Sequence, residues 1–99
     1  MTRTVRWTRA ALDDLKDQIS YIATDSPAAA RSVASRLRAT AEALADMPTG
    51  RPGRVGGTYE KSVRKLPYIV AYALDSRGDI VILRVIHTAR DWGAGRWPE

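Results

Sequence analysis

Residues 67–92, PYIVAYALDSRGDIVILRVIHTARDW, constrain the fold more than any other stretch of the chain. Residues 67–74 are rich in β-branched and aromatic side chains, and residues 80–86 form an apolar run broken only by Arg84. Between them, Asp75-Ser76-Arg77-Gly78-Asp79 reads as a hairpin turn with a glycine to take the positive φ. Both strands are apolar on both faces. Tyr68, Val70, Tyr72 and Leu74 alternate with Ile69, Ala71 and Ala73, and Ile80, Ile82 and Ile86 with Val81, Leu83 and Val85. Such strands belong in the middle of a sheet, so the rest of the chain must supply flanking strands and cover. The polar groups at their ends, Arg84, His87, Arg90 and Asp91, are candidates for chemistry.

The cover precedes the hairpin. Residues 2–6 can form a short strand with Val5 pointing inward. Thr8 then reads as a helix N-cap, with Trp7 and Leu12 at the spacing of a hydrophobic staple. Leu12, Leu15, Ile19 and Ile22 predict one apolar stripe on a helix over about 9–24, with Asp13, Asp14, Lys16, Asp17 and Gln18 outside. Ser26 and Pro27 suit the N-cap and first turn of a second helix over about 27–46. Its stripe is Ala30, Val33, Ala34, Leu37, Ala41 and Leu44, and its alanines predict close approach of the two helices. The short link makes them an antiparallel pair. Residues 47–57 form a Gly/Pro loop carrying Arg51 and Arg54. Residues 58–66 predict a strand beside the hairpin, and 93–99 an irregular tail. The predicted order is β-α-α-β-β-β. It describes one α+β domain over 1–99, with a helical hairpin on one face of a mostly antiparallel sheet.

Inventory removes several functions. The chain has no cysteine, which excludes disulfides and thiolate catalysis, and one histidine, too few for a His-based metal cluster. No cofactor or metal is expected. No run of about 18 apolar residues exists to span a membrane. MTRTVRWTRAALDD carries acids early and lacks the apolar centre of a secretory signal, so a cytoplasmic location is expected. GRPGRVGG (50–57) lacks the Gly-Lys-Ser/Thr ending of a phosphate loop and precedes a strand. Carboxylates spread along the first helix read as a solvated face.

What remains is basic. The net charge is +5, with arginine dominant, which fits a polyanionic partner such as RNA, DNA or an acidic protein segment. Arg51, Arg54, Lys61, Arg64, Lys65, Arg84, His87 and Arg90 form a constellation suited to metal-free RNA cleavage. A base takes the 2′-OH proton, an acid protonates the leaving oxygen, and a cation stabilises the phosphorane. His87 is the only side chain that titrates naturally near neutrality. Glu60 is the carboxylate within this group available as base, apart from Asp91. Each residue also has a structural reading: His87 as a hydrogen-bonded strand end, Arg84 as the ion-pair partner of Asp91 or Glu60, and Lys61, Arg64 and Lys65 as a solvated face.

A succession of short segments resembles the RelE/ParE superfamily of toxins from bacterial type II toxin–antitoxin modules. They are WTRAALDDL at 7–15, Tyr21-Ile22, SPAAA at 26–30, GRPGRVGGT at 50–58, PYIVAY at 67–72 and ILRVIHTARDW at 82–92. The resemblance spans nearly the whole chain. It implies a helical hairpin against an antiparallel sheet, and a growth-inhibiting toxin held inactive by a cognate antitoxin whose extended segment wraps it.

That superfamily divides by target. RelE-like members cut mRNA on the ribosome, and ParE-like members block DNA gyrase without cleaving RNA. The resemblance to the nuclease branch matches His87 and Arg64 to its catalytic His and Arg, with Glu60 or no residue as the base; from the basic constellation, Arg84 joins the catalytic candidates and Arg51, Arg54, Lys61, Lys65 and Arg90 are left to contact RNA or target. Two departures stand against it. No tyrosine follows Tyr72, and Tyr59-Glu60-Lys61 occupies the place where relatives tend to read Arg-Glu-Leu. The basic constellation and His87 lean the expectation towards a ribosome-dependent mRNA endonuclease. The alternatives are a non-catalytic gyrase inhibitor and an inert chain that only binds its antitoxin.

Overall fold

The structure is a computed structural model that describes residues 3–53 and 55–89. β1 (Val5–Trp7) leads into α1 (Arg9–Ala23) and α2 (Pro27–Asp46). A two-residue β2 (Arg51–Pro52), β3 (Tyr59–Ser62), β4 (Tyr68–Leu74) and β5 (Ile80–His87) follow. The five strands form one sheet in the order β1-β5-β4-β3-β2. Only the β1–β5 pair is parallel; the others are antiparallel. The predicted order holds, with β2 added inside the Gly/Pro loop, and the two strands apolar on both faces do lie inside the sheet.

The local signals that shape the helices are met. Thr8 has extended backbone angles, and its hydroxyl accepts from Ala11 N–H. Ser26 caps α2 by accepting from Ala29 N–H, with Pro27 in the first turn. Each cap satisfies an amide the helix itself leaves without a partner. At the hairpin turn, Asp75 Oδ1 accepts from Arg77 and Asp79 N–H while Gly78 takes φ +85°. Those two bonds hold the Asp75 carboxyl below its ordinary pKa.

The helices cover one face of the sheet. Leu37, Ala41 and Leu44 of α2, with Ala11 and Leu15 of α1, bury Val70, Tyr72, Ile80, Ile82 and Val85. Fully burying a side chain such as Leu37 or Ile82 contributes about 1.5–3 kcal/mol relative to exposure. On the opposite face Ile69, Ala71 and Ile86 form a smaller buried cluster.

Two expectations are corrected. The buried face of α1 runs through Ala11, Leu15 and Gln18, whereas Leu12 is 48% exposed. The helix is rolled towards β5, where Asp14, expected on the outer face, is tied down. The strand over 58–66 stops at Ser62, because Lys65 takes a left-handed φ of +64° and Leu66 N–H turns back to Val63. The alanines of the expected α2 stripe keep their side: Ala30 and Ala41 are buried and Ala34 half-buried, Ala45 joins them, and Ala39 and Ala43, outside the stripe, are exposed.

Candidate functional site

Arg84 has its partner on α1. The register between β4 and β5 slips at Ala71/Tyr72, so Tyr72 pairs with Ile82 and Ala71 with Arg84, leaving Leu83 as the extra residue of a bulge. β1 ends opposite Ile82, and α1 begins there. Thr8 bridges the two: its amide donates to the Ile82 carbonyl and its hydroxyl to the Leu83 carbonyl. One and a half turns on, Asp14 accepts from Arg84 Nε at 2.8 Å and Nη2 at 2.9 Å, and from Val85 N–H at 3.0 Å. Both side chains are 16% exposed. A bidentate pair with a third donor on the same carboxylate meets the conditions under which a partly buried ion pair holds its geometry. Asp14 also satisfies a β5 amide that β1 is too short to reach. Among the described residues the partner is Asp14, 70 positions away, which sequence did not suggest; Asp91, one of the partners considered there, lies outside the described residues.

The other catalytic candidates divide between the two faces of the sheet. Cross-strand partners point to the same face. His87 pairs with Tyr68, on the helix-covered side. Its ring meets Tyr68 edge-on at 5.2 Å between centroids, and its Nδ1 accepts from Ala89 N–H at 3.2 Å. Glu60 pairs with Ala71, on the far side with Ile69 and Ile86. It is 4% exposed, and Arg51 Nη2 lies 3.7 Å from Oε1. The imidazole and the carboxylate proposed as its co-catalyst therefore do not converge. Arg64 and Lys65 sit exposed in the turn after β3, and the Arg64 carbonyl accepts from Arg36 Nη1. Arg54, Arg90 and Asp91 lie outside the described residues.

The structure gathers a different set into a concavity. A groove of about 510 Å³ runs between α2 and β3. Arg36, Ala39, Thr40, Ala43 and Met47 follow at intervals of 3, 1, 3 and 4 and share one helix face. Lys61 and Arg64 stand on the other side. Thr49 closes one end: its hydroxyl accepts from Lys61 Nζ at 2.7 Å, and its carbonyl from the Tyr72 hydroxyl at 2.6 Å. Burial and the neighbouring Tyr59, stacked on Tyr72 at 5.5 Å, push the Tyr72 pKa above its ordinary value, so the hydroxyl stays a donor at physiological pH. Of this groove, sequence reasoning singled out Lys61 and Arg64 and missed the α2 wall. The signal was available: Ala39, Ala43 and Met47 are apolar residues left over from the stripe assigned to the core.

A helical hairpin on a mostly antiparallel sheet, with basic side chains around an open helix–sheet groove, defines the class. The family described as ParE toxin of type II toxin-antitoxin system, parDE, matches residues 5–92. Y4kP of Sinorhizobium fredii is 39% identical over 89 residues, covering 89% of this chain and 91% of that protein. Toxin RelE2 of Caulobacter vibrioides is 38% identical over 87 residues, covering 87% and 96%. Among solved structures, the chromosomal ParDE system of P. aeruginosa superposes with a TM-score of 0.79 at 22% identity, over 87% of this chain and 96% of that one, a likeness of fold. The toxin–antitoxin complex RelBE2 of Mycobacterium tuberculosis gives 0.58 at 28% identity, over 88% and 92%. The chain belongs to the ParE/RelE family of type II toxins.

Proposed function

We propose that this chain is a cytoplasmic, growth-arresting toxin of one domain, neutralised by a cognate antitoxin, which acts by binding its target and not by cutting RNA. DNA gyrase is the target, as the family's non-catalytic branch implies. One observation carries the choice over the mRNA endonuclease favoured from sequence. Glu60 and His87 sit on opposite faces of the sheet, while Arg84 is engaged with Asp14. General acid–base cleavage needs both groups within hydrogen-bond reach of one ribose-phosphate. The remaining cations, Lys61, Arg64 and Lys65, make a docking surface, while Arg51 sits beside the Glu60 carboxylate.

The test is induction of the chain without its antitoxin, followed by 5′-end mapping of cellular mRNA and by supercoiling assays of purified gyrase with the purified chain. Intact messages, a DNA-damage response and inhibited supercoiling are expected. Cuts within translated frames that vanish when translation is blocked would overturn the gyrase reading and restore the ribosome-dependent endonuclease. Unchanged growth would identify an inert relative that only binds its antitoxin.

A further inference from the structure

We propose that the turn between β3 and β4 is a phosphate contact for duplex DNA, in which Arg64 and Lys65 at its tip and Arg36 behind it grip the backbone of the segment on which gyrase works. The proposal rests on the gyrase reading and adds to it that the chain touches the nucleic acid as well as the enzyme.

The turn gives up stability to present a cation. Leu66 N–H donates to the Val63 carbonyl at 3.1 Å, closing a β-turn with Arg64 and Lys65 at its centre. Of these two, only Lys65 has a positive φ, at +64°. That is the pattern of a type II turn, whose second central position ordinarily holds glycine or asparagine. A lysine there sets its Cβ against the backbone. Nothing in the packing asks for it, because the side chain is exposed and has no ion pair with a described residue. Backbone strain at an exposed charged residue points to function. The mount below the tip is firm. Val63 and Tyr68 are 2% and 4% exposed, Val63 N–H donates to the Tyr68 carbonyl, and Thr88 N–H donates to the Pro67 carbonyl.

The fold also gathers charge at this place. Arg36 Nη1 donates to the Arg64 carbonyl at 3.2 Å, which brings the guanidinium of an α2 residue against the turn. That bond uses one of the five N–H donors of Arg36 and leaves its charge uncancelled. None of Arg36, Arg64 and Lys65 forms an ion pair with a described residue, whereas Arg6, Arg51 and Arg84 each do. Three like charges held together without an acid repel one another until an anion arrives.

The occupant follows from what surrounds them. The exposed large apolar residues are Leu12, Tyr21, Met47, Val55, Tyr59 and Leu74, and none belongs to the turn. A protein contact concentrates aromatic and apolar anchors and is depleted in lysine, which this tip is not. A single strand gains from rings on which its bases stack, but Tyr68, the ring nearest in sequence, is buried. A duplex backbone offers phosphates alone, which is what two arginines and a lysine recognise.

The test is fluorescence anisotropy of a short labelled duplex of mixed sequence with the purified full chain, over a range of salt. Arg64→Ala, Lys65→Gly and Arg36→Gln should each make the slope of log affinity against log salt shallower by about 1. Lys65→Gly should also raise the midpoint of thermal unfolding by roughly 2–6 °C, because glycine takes the positive φ freely. Lys65→Arg keeps the charge and should keep the parent slope, and Arg31→Ala, an exposed cation elsewhere on α2, should leave it unchanged. A lysine that serves the fold alone would leave the slope in place on Lys65→Gly, and that result would overturn the contact. In supercoiling assays with purified gyrase, Lys65→Gly should raise the half-inhibitory concentration by about fivefold to tenfold at 0.1 M salt, the counterion-release share of one phosphate. Inhibition by the parent chain that all three variants match would overturn the DNA contact and keep the gyrase reading. A parent chain that leaves gyrase active but shows these slopes on the duplex would overturn the gyrase reading and keep the contact. Tighter binding of single-stranded RNA than of duplex, with the same losses of slope, would overturn the duplex assignment in favour of RNA.

Discussion

The two places where a helix meets the sheet handle charge in opposite ways. Where α1 crosses the edge of β5, Arg84 is closed off: both Asp14 oxygens accept from it, and the Val85 amide fills the remaining space. Where α2 faces β3, Arg36, Lys61 and Arg64 line an open groove with no acid among the described residues that line it. The same residue type is a fastening in one region and a docking surface in the other. Net charge cannot tell these apart. What separates them is whether a carboxylate is brought into reach by the fold, so a basic constellation read from composition mixes structural and functional cations.

The largest expected effect is at the closed side. Asp14→Ala would leave the Arg84 guanidinium partly buried without its two hydrogen bonds to Asp14, and the Val85 amide without its acceptor. A destabilisation of about 3 kcal/mol is expected, measured by urea unfolding. Arg84→Ala should lose a comparable amount, and the Asp14→Ala/Arg84→Ala double variant less than the sum, because the two residues act as one unit. An additive cycle would break the distinction between fastening and docking cations. The cycle also separates the readings of Arg84: on the binding mechanism, Arg84→Ala loses toxicity only in proportion to the folded protein it loses.

This contrast marks where sequence reading succeeds. The N-caps at Thr8 and Ser26, both helix spans and the central position of the hairpin were legible, because each rests on neighbours or on one periodicity. The Asp14–Arg84 pair was not. It joins residues 70 positions apart across a bulge whose register no alternation rule predicts. The same slip made face assignments on β5 unreadable, and with them the separation of Glu60 from His87. The α2 wall of the groove stayed hidden for another reason. Alanine fits a core, a helix contact or a surface, and only packing shows that Ala41 is buried while Ala39 and Ala43 are not.

An intermediate effect is expected at the end of the open side. Tyr72→Phe keeps the ring in the core but removes the hydroxyl that holds the Thr49 carbonyl. A loss of about 1 kcal/mol is expected from thermal or urea unfolding. Thr49 also holds Lys61, so hydrogen exchange of the 47–50 backbone should speed up in this variant more than exchange at the β4–β5 ladder. Equal acceleration everywhere would mean that the tyrosine acts through the core alone and that the groove end is not a separable element.

The smallest expected effect on stability falls within the groove. Arg64 is exposed in the turn after β3 and lines the concavity with no carboxylate among the described lining residues. Arg64→Ala should therefore change unfolding free energy by no more than about 0.5 kcal/mol. A docking cation contributes to what approaches it, not to the fold that presents it, so Arg64→Ala should leave the melting curve in place while steepening neither limb of the denaturant transition. If it instead destabilised the chain as much as Asp14→Ala, Arg64 would have to be neutralised within the fold, and the open side would be a second fastening.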